Sequence, residues 1–219
     1  MGELAFGIDP TILARVADEI SELQQQGVEI ALVIGGGNLF RGAGLAKAGY
    51  DRVRGDQMGM LATVMNALAM QDALVKRDMR CDIFSALGIE QVGQKYSAMA
   101  AREALDHGNI VICAAGTGNP YFTTDTAASL RAIELKADLL LKATKVDGIY
   151  EADPKQYPDA KRYTQLSYET VIQQELGVMD LTAMVMCRDN QMPLCVFDMF
   201  SAGALYSILQ GEPVGTLVQ

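Results

Sequence analysis

Tryptophan is absent from the 219 residues, and histidine occurs once. The lone imidazole, His107, stands before Gly108 at a helix end, so Ser-His-Asp triads, multi-histidine metal sites and imidazole relays lack raw material. A structural place is expected for it. The cysteines at 81, 113, 187 and 195 form no Cys-x-x-Cys pair, and three lie inside apolar runs. That pattern points to reduced thiols rather than disulfides or zinc ligands. Basic charge is also short: 18 Lys and Arg against 27 Asp and Glu give a net charge of −9. The broad positive surface that nucleic acid or an anionic membrane requires is therefore not expected, and an anionic ligand must find a local basic pocket. No apolar run approaches the roughly 18 residues of a membrane span. The opening Met-Gly-Glu-Leu has no basic stretch followed by a long apolar one, so a cytoplasmic location is expected.

What is present is an ordinary globular composition, 50% hydrophobic and 21% charged, with 21 glycines. Asp9-Pro10 is a helix start, followed by Ile12, Leu13, Val16, Ile20 and Leu23 at helical spacing up to Gly27. Residues 29–34 form a β-branched run that stops at Gly35-Gly36-Gly37, as a strand buried on both faces does. The alternation repeats: helix 56–78, strand 81–87, helix 97–107, strand 110–115, helix 125–136 and strand 138–143. A turn-rich stretch follows, then helices 167–176 and 181–190, strand 194–198, a short helix 203–210 and a final strand 215–219. The fold class expected is α/β, three-layer αβα with a mainly parallel central sheet, and the chain reads as one domain over 1–219. A doubly wound pattern that opens with a helix after eight residues departs from the usual opening strand, so a leading strand is expected upstream.

Three loops follow buried strands. Gly35–Gly37 is either a tight turn or a set of bare backbone N–H groups for phosphate. Residues 41–56 carry four cations, Arg41, Lys47, Arg52 and Arg54, against Asp51 and Asp56, a local reversal of charge that favours an anion. Gly116 to Asp125 gathers two aromatics, three threonines and an amide, enough to recognise a base and its phosphate. Lys142 to Pro154 is the third. Loops at the carboxyl ends of parallel strands converge on one sheet edge, where open α/β folds bind ligands. Asp56 is either a helix cap or a ribose-binding acid, and Asp125 either caps its helix or acts in chemistry. Met58, Met60, Met65 and Met70 share a helix and suit core or subunit packing. The dinucleotide fingerprint is half present, with Phe40 where its third glycine belongs, and no Gly-x-x-x-x-Gly-Lys-Ser/Thr occurs.

Together GGGNLFRGAG (35–44), GDQMGMLATVMNALAM (55–70), AGTGNPYFTTD (115–125), KATKVDGIYEADP (142–154) and VMDLTA (178–183) resemble the bacterial uridylate kinases of the amino-acid-kinase superfamily, in order over essentially the whole chain. The resemblance implies an amino-acid-kinase-like fold and transfer of the γ-phosphoryl of ATP to UMP, giving UDP for pyrimidine nucleotide biosynthesis. It implies magnesium carried by the nucleotide, a cytoplasmic homohexamer, and allosteric control with GTP as activator and UTP as inhibitor.

By the same resemblance the UMP site comprises Gly36, Asp56 and the stretch Thr117, Gly118, Asn119, Pro120, Tyr121, Phe122, Thr123 and Thr124, with Asp56 on the ribose hydroxyls. Gly37 and Arg41 would contact the transferring phosphate region, and Thr144, Tyr150 and Asp153 the adenine nucleotide. Arg41, Asp125 and Asp180 would be catalytic, the two acids orienting cationic groups or magnesium. Gly2 to Gly7 resembles the end of a GTP-contacting segment. One departure stands out: the family's first strand and its Lys-x-Ser-Gly-Glu loop have no counterpart after Met1. An upstream segment is expected to supply them, and the chain without it to transfer phosphoryl groups slowly. The rival readings are a non-catalytic nucleotide- or oxyanion-binding relative of the same fold and a dinucleotide-dependent oxidoreductase. Phe40 and the placement of Asp56 count against the second rival.

Overall fold

In a computed structural model that describes residues 7–40, 49, 51–154, 156–157 and 159–219, the first helix starts where its cap predicts. Asp9 Oδ1 accepts from Thr11 N at 3.0 Å and Ile12 N at 3.4 Å. Helix α1, Pro10–Gln25, then buries Ala17, Ile20 and Leu23. The chain divides into two compact units, Met1–Arg131 and Ala132–Gln219.

In the first unit, strands β1 (Ala31–Val33), β2 (Cys81–Ser85), β3 (Gln94–Lys95) and β4 (Ile110–Ala114) form a parallel sheet in the order β1-β4-β2-β3. All five residues of β4 are buried, which is why that run is apolar without alternation. Ile110, Ile112 and Ala114 pack with Ile83 under α1 and helix α2, Arg52–Val75. Val111 and Cys113 alternate to the opposite face, where helix α3, Ala98–Asp106, packs on β4 through buried Ala101 and Leu105. Helix α4, Thr124–Glu134, follows the β4 loop.

The second unit carries β5 (Leu140–Thr144), β6 (Gln165–Leu166), α5 (Tyr168–Gln173), α6 (Leu181–Asp189), β7 (Leu194–Asp198), α7 (Ala204–Leu209) and β8 (Thr216–Val218). Its sheet runs β5-β7-β8-β6, with β5 parallel to β7, β6 parallel to β8, and β7 antiparallel to β8. Tyr168, Val171, Met184, Cys187, Leu194, Val196 and Val218 form its core. The fold class is therefore α/β with mainly parallel pairing, as the alternation predicts.

Three expectations need correction. Helix α2 begins at Arg52, four residues before Asp56, because Asp51 is the cap and its Oδ1 accepts from Arg54 N at 3.0 Å. Strands β3 and β6, two residues each, were absent from the sequence pattern because neither is apolar enough to show a period. Finally, α2 has 24 residues and reaches a mean hydropathy of 1.3, so by length and composition it does match a membrane span. Half of that stretch is buried inside the fold, as in a core helix. His107 caps the end of α3, its Nδ1 2.7 Å from Glu103 O, and the four cysteines are free thiols.

Candidate active site

The turn after β1 is pressed onto α2. A Cβ at Gly36 would lie 2.7 Å from Gly59 O, 2.9 Å from Ala62 Cβ and 3.2 Å from Thr63 N, so only glycine lets the turn approach. Asn66, 5% exposed in the mainly apolar stretch 58–70 of α2, secures it from below. Its amide donates to Gly35 O at 2.7 Å and to Asn38 Oδ1 at 2.6 Å. A single helical turn follows, with Leu39 N and Phe40 N donating to Gly36 O.

The loop after β4 is held in a costly backbone conformation. Ala115 (φ 62°) and Tyr121 (φ 71°) occupy the left-handed region that side chains disfavour, and Gly116 and Gly118 share it. Three anchors enforce that path. Thr63 Oγ1 accepts from Ala115 N at 2.8 Å and donates to Met60 O at 2.7 Å. Arg131, 6% exposed, lies 3.7 Å from the Tyr96 ring centroid and donates through Nη2 to Gly116 O at 3.2 Å. Asp56 Oδ2 accepts from Tyr121 N at 2.7 Å.

Between these loops lies a cavity of about 260 Å³. Gly36, Gly37 and Phe40 line it from the β1 turn, Arg52, Gly55, Asp56, Gly59, Met60 and Thr63 from α2, and Gly116, Thr117, Asn119, Phe122, Thr123 and Thr124 from the β4 loop. Of the expected UMP residues, Gly36, Asp56, Thr117, Asn119, Phe122, Thr123 and Thr124 are thus brought together. Gly118, Pro120 and Tyr121 belong to the same loop but are not among the lining residues. The cavity reaches the start of α4, where backbone N–H groups and the helix dipole favour an anion.

Asp56 does not cap its helix, the first of the two roles its position allowed. It sits one turn inside α2 with its side chain 13% exposed, accepting Arg52 Nε at 2.8 and 2.9 Å. Nor does Asp125 cap α4. Thr123 does, its Oγ1 accepting from Asp125 N at 3.1 Å and Thr126 N at 3.2 Å. Arg41 and Lys47 lie outside the described residues, as do Gly2 to Phe6.

In the second unit, Thr144 Oγ1 accepts from Val146 N at 2.9 Å and donates to Val146 O at 2.7 Å, closing the turn after β5. Tyr150 Oη donates to Asp147 Oδ1 at 2.7 Å, and that bond to a carboxylate raises the phenol's pKa. Arg162 Nη1 holds Asp147 O at 2.9 Å from the other side. Asp153 O accepts from Gln156 N and Tyr157 N. Asp180 caps α6, accepting from Ala183 N at 3.1 Å. Among the described residues no group of three His, Cys, Asp or Glu could hold a metal ion. A magnesium ion carried on substrate phosphates needs only one or two protein carboxylates, so the lack of such a group says nothing about it.

Sequence reasoning missed Thr63, Asn66 and Arg131 as parts of the site, and saw Arg52 only as one of four cations. Asn66 did carry a signal, a polar amide within the mainly apolar stretch 58–70.

Residues 2–198 match the model of the amino acid kinase family, across both compact units. The uridylate kinase of Dichelobacter nodosus is 57% identical over 218 residues, covering 100% of this chain and 90% of the relative. That of Saccharophagus degradans is 56% identical over 219 residues, 100% of this chain and 89% of the relative. Among solved structures, UMP kinase from Bacillus anthracis superposes with a TM-score of 0.96 at 36% identity, covering 99% of this chain and 90% of that one. Uridylate kinase from Archaeoglobus fulgidus gives 0.76 at 27% identity over 96% and 94%. With sequence identity this high over its full length, and with the glycine turn, Asp56 and the β4 loop around one cavity, the chain belongs to the amino acid kinase family and, within it, to the bacterial uridylate kinases.

Proposed function

We propose that this chain transfers the γ-phosphoryl group of ATP to UMP, giving UDP and ADP. The observation that carries the reading is the single cavity enclosed by the Gly36 turn, Asp56 and the Thr117–Thr124 loop, in a chain 57% identical to a uridylate kinase. In this reading Asp56 accepts the ribose hydroxyls, and the loop of Thr117, Gly118, Asn119, Pro120, Tyr121, Phe122, Thr123 and Thr124 receives the uracil. Its end, at the start of α4, faces the monophosphate. Gly37 and Arg41 approach the transferring phosphoryl group, and Thr144, Tyr150 and Asp153 hold the adenine nucleotide. Asp125 and Asp180 orient cationic groups or magnesium.

A phosphate oxygen of UMP forms the new bond to the γ-phosphorus while the bond from that phosphorus to the β–γ bridging oxygen breaks, and ADP leaves with the electron pair. The attacking phosphate is already largely ionised near pH 7, its second pKa being about 6. No strong base is required, which suits a chain with one histidine far along a helix end. The residues' work is alignment and electrostatic stabilisation. Magnesium, arriving on the triphosphate, would neutralise part of the charge there.

We extend the proposal to assembly and setting. Leu61, Met65, Leu68 and Val75 are 49%, 54%, 40% and 54% exposed along one face of α2. Such an apolar stripe supports burial against further copies, with a homohexamer as the state expected. The two compact units are read as parts of one catalytic domain, supported by a family match that runs through both. A cytoplasmic place in pyrimidine nucleotide synthesis, with activation by GTP and inhibition by UTP, completes the reading. Phosphorus NMR of the chain with ATP, magnesium and UMP tests it: UDP and ADP should appear together. Binding of UMP without turnover would favour the non-catalytic oxyanion-binding alternative.

A further inference from the structure

Arg52 occupies the first position of α2, where a cation opposes the helix dipole. Its ion pair with Asp56 runs in the less favourable order, cation before acid at i and i+4. Helix stability therefore does not account for it. Its contacts point elsewhere. Nε bridges both Asp56 oxygens, at 2.8 and 2.9 Å, and the guanidinium carbon stands 5.3 Å from the Tyr121 ring centroid. Asp56 Oδ2 in turn accepts from Tyr121 N. One side chain thus ties together the carboxylate at the cavity wall and the residue of the β4 loop that holds a left-handed φ of 71°. Arg52 is also the one cation among the described residues lining the cavity.

We propose that Arg52 is a positioning residue for acceptor recognition, fixing the Asp56 carboxylate and the Tyr121 turn as one preformed unit. The proposal rests on the reading of this cavity as the UMP site. A carboxylate free to rotate about its last torsion would lose entropy when it meets ribose hydroxyls; one already held by a planar guanidinium loses less. Among the described residues Oδ2 accepts from both Arg52 Nε and Tyr121 N, whereas Oδ1 accepts from Arg52 Nε alone, which leaves Oδ1 better able to accept a sugar hydroxyl. The ring stacked near the guanidinium keeps the loop from relaxing away from its strained path.

Titration calorimetry of UMP, and separately of ATP, on the full chain and its variants tests this. Arg52→Met, which keeps length and removes charge, should weaken UMP about tenfold and leave ATP within about twofold. Arg52→Lys, a point charge without the planar fork, should fall between wild type and Arg52→Met. In an Asp56→Asn background, Arg52→Met should cost less than about twofold, because the residue acts through that carboxylate. The thermal midpoint of Arg52→Met should stay within about 2 °C of wild type, since Arg52 itself is exposed and a pair in this order contributes little to the helix. Equal weakening of UMP and ATP, or full additivity with Asp56→Asn, overturns the inference. So does a UMP affinity unchanged in Arg52→Met while the wild type binds. A wild-type chain that binds no UMP overturns the acceptor reading itself, and this inference with it.

Discussion

Replacing Gly36 with alanine places one methyl group where the structure has no room for it. The new Cβ would sit 2.7 Å from Gly59 O, 2.9 Å from Ala62 Cβ and 3.2 Å from Thr63 N. None of these atoms can rotate aside, because all belong to the backbone or the first side-chain carbon of α2. The turn or the helix must move by a few tenths of an ångström or more. Overpacking of this kind costs about 1–3 kcal/mol. For a chain of this size each kcal/mol lowers the thermal midpoint by about 2–4 °C, so a fall of roughly 2–12 °C is expected. The same displacement shifts the wall of the cavity, and UMP affinity should drop by about tenfold or more. Gly59→Ala is the control. An added Cβ there meets nothing within 4 Å, and alanine in a helix interior gains about 0.5–1 kcal/mol over glycine. Differential scanning calorimetry should show shifts of the thermal midpoint of opposite sign for the two variants, and UMP titration of Gly36→Ala the loss of affinity. A Gly36→Ala chain as stable and as UMP-competent as wild type would refute the reasoning.

Three further outcomes follow from particular contacts. Asp56→Asn should weaken UMP by about 1.5–3 kcal/mol, the range for hydrogen bonds to a charged group, or about 10- to 150-fold; unchanged affinity with a clear fall in thermal midpoint would leave Asp56 only an anchor for Tyr121. Met65→Glu, in the exposed stripe of α2, should lower the assembly's mass in sedimentation velocity, and an unaltered mass would contradict the proposed subunit contact. Burial, with the neighbouring Asp82 charge, pushes the Cys81 thiol up from 9.0 to about 12. Between those values the unfolded chain has lost a proton that the folded chain keeps, so stability should fall as pH rises through that window. Cys81→Ala should flatten that slope in urea titrations at successive pH values, and a slope the substitution leaves unchanged would contradict it.

The elements that the sequence made legible are those whose own residues determine them. β7 matches 194–198 residue for residue because its run is buried on both faces, and α1 begins at its Asp9-Pro10 cap. β3 and β6 were hidden because pairing with β2 and β8, not their own composition, makes them strands. Asp51 was overlooked as the cap of α2 because Asp56, directly after Gly55, offered an equally good local signal. The candidate site was legible as loops but not as a braced structure. Gly36 and Thr117–Thr124 stand out by glycine and hydroxyl content, whereas Thr63, Asn66 and Arg131 act across separations of 15 to 52 residues that no local pattern encodes. Arg52 was visible only as one cation among four, and its geometry against Asp56 and Tyr121 belongs to the fold.

The central claim, that the cavity beside Asp56 selects UMP as phosphoryl acceptor, is tested most directly by comparing acceptors in a coupled assay for ADP release at fixed ATP and magnesium. A loop that hydrogen-bonds the uracil edge should reject the different donor patterns of CMP and AMP, while dTMP, which shares that edge, loses the 2′-hydroxyl assigned to Asp56 and adds a methyl group, so kcat/KM for UMP should exceed that for each by at least about tenfold, about 1.4 kcal/mol. Turnover of CMP equal to that of UMP would contradict the account.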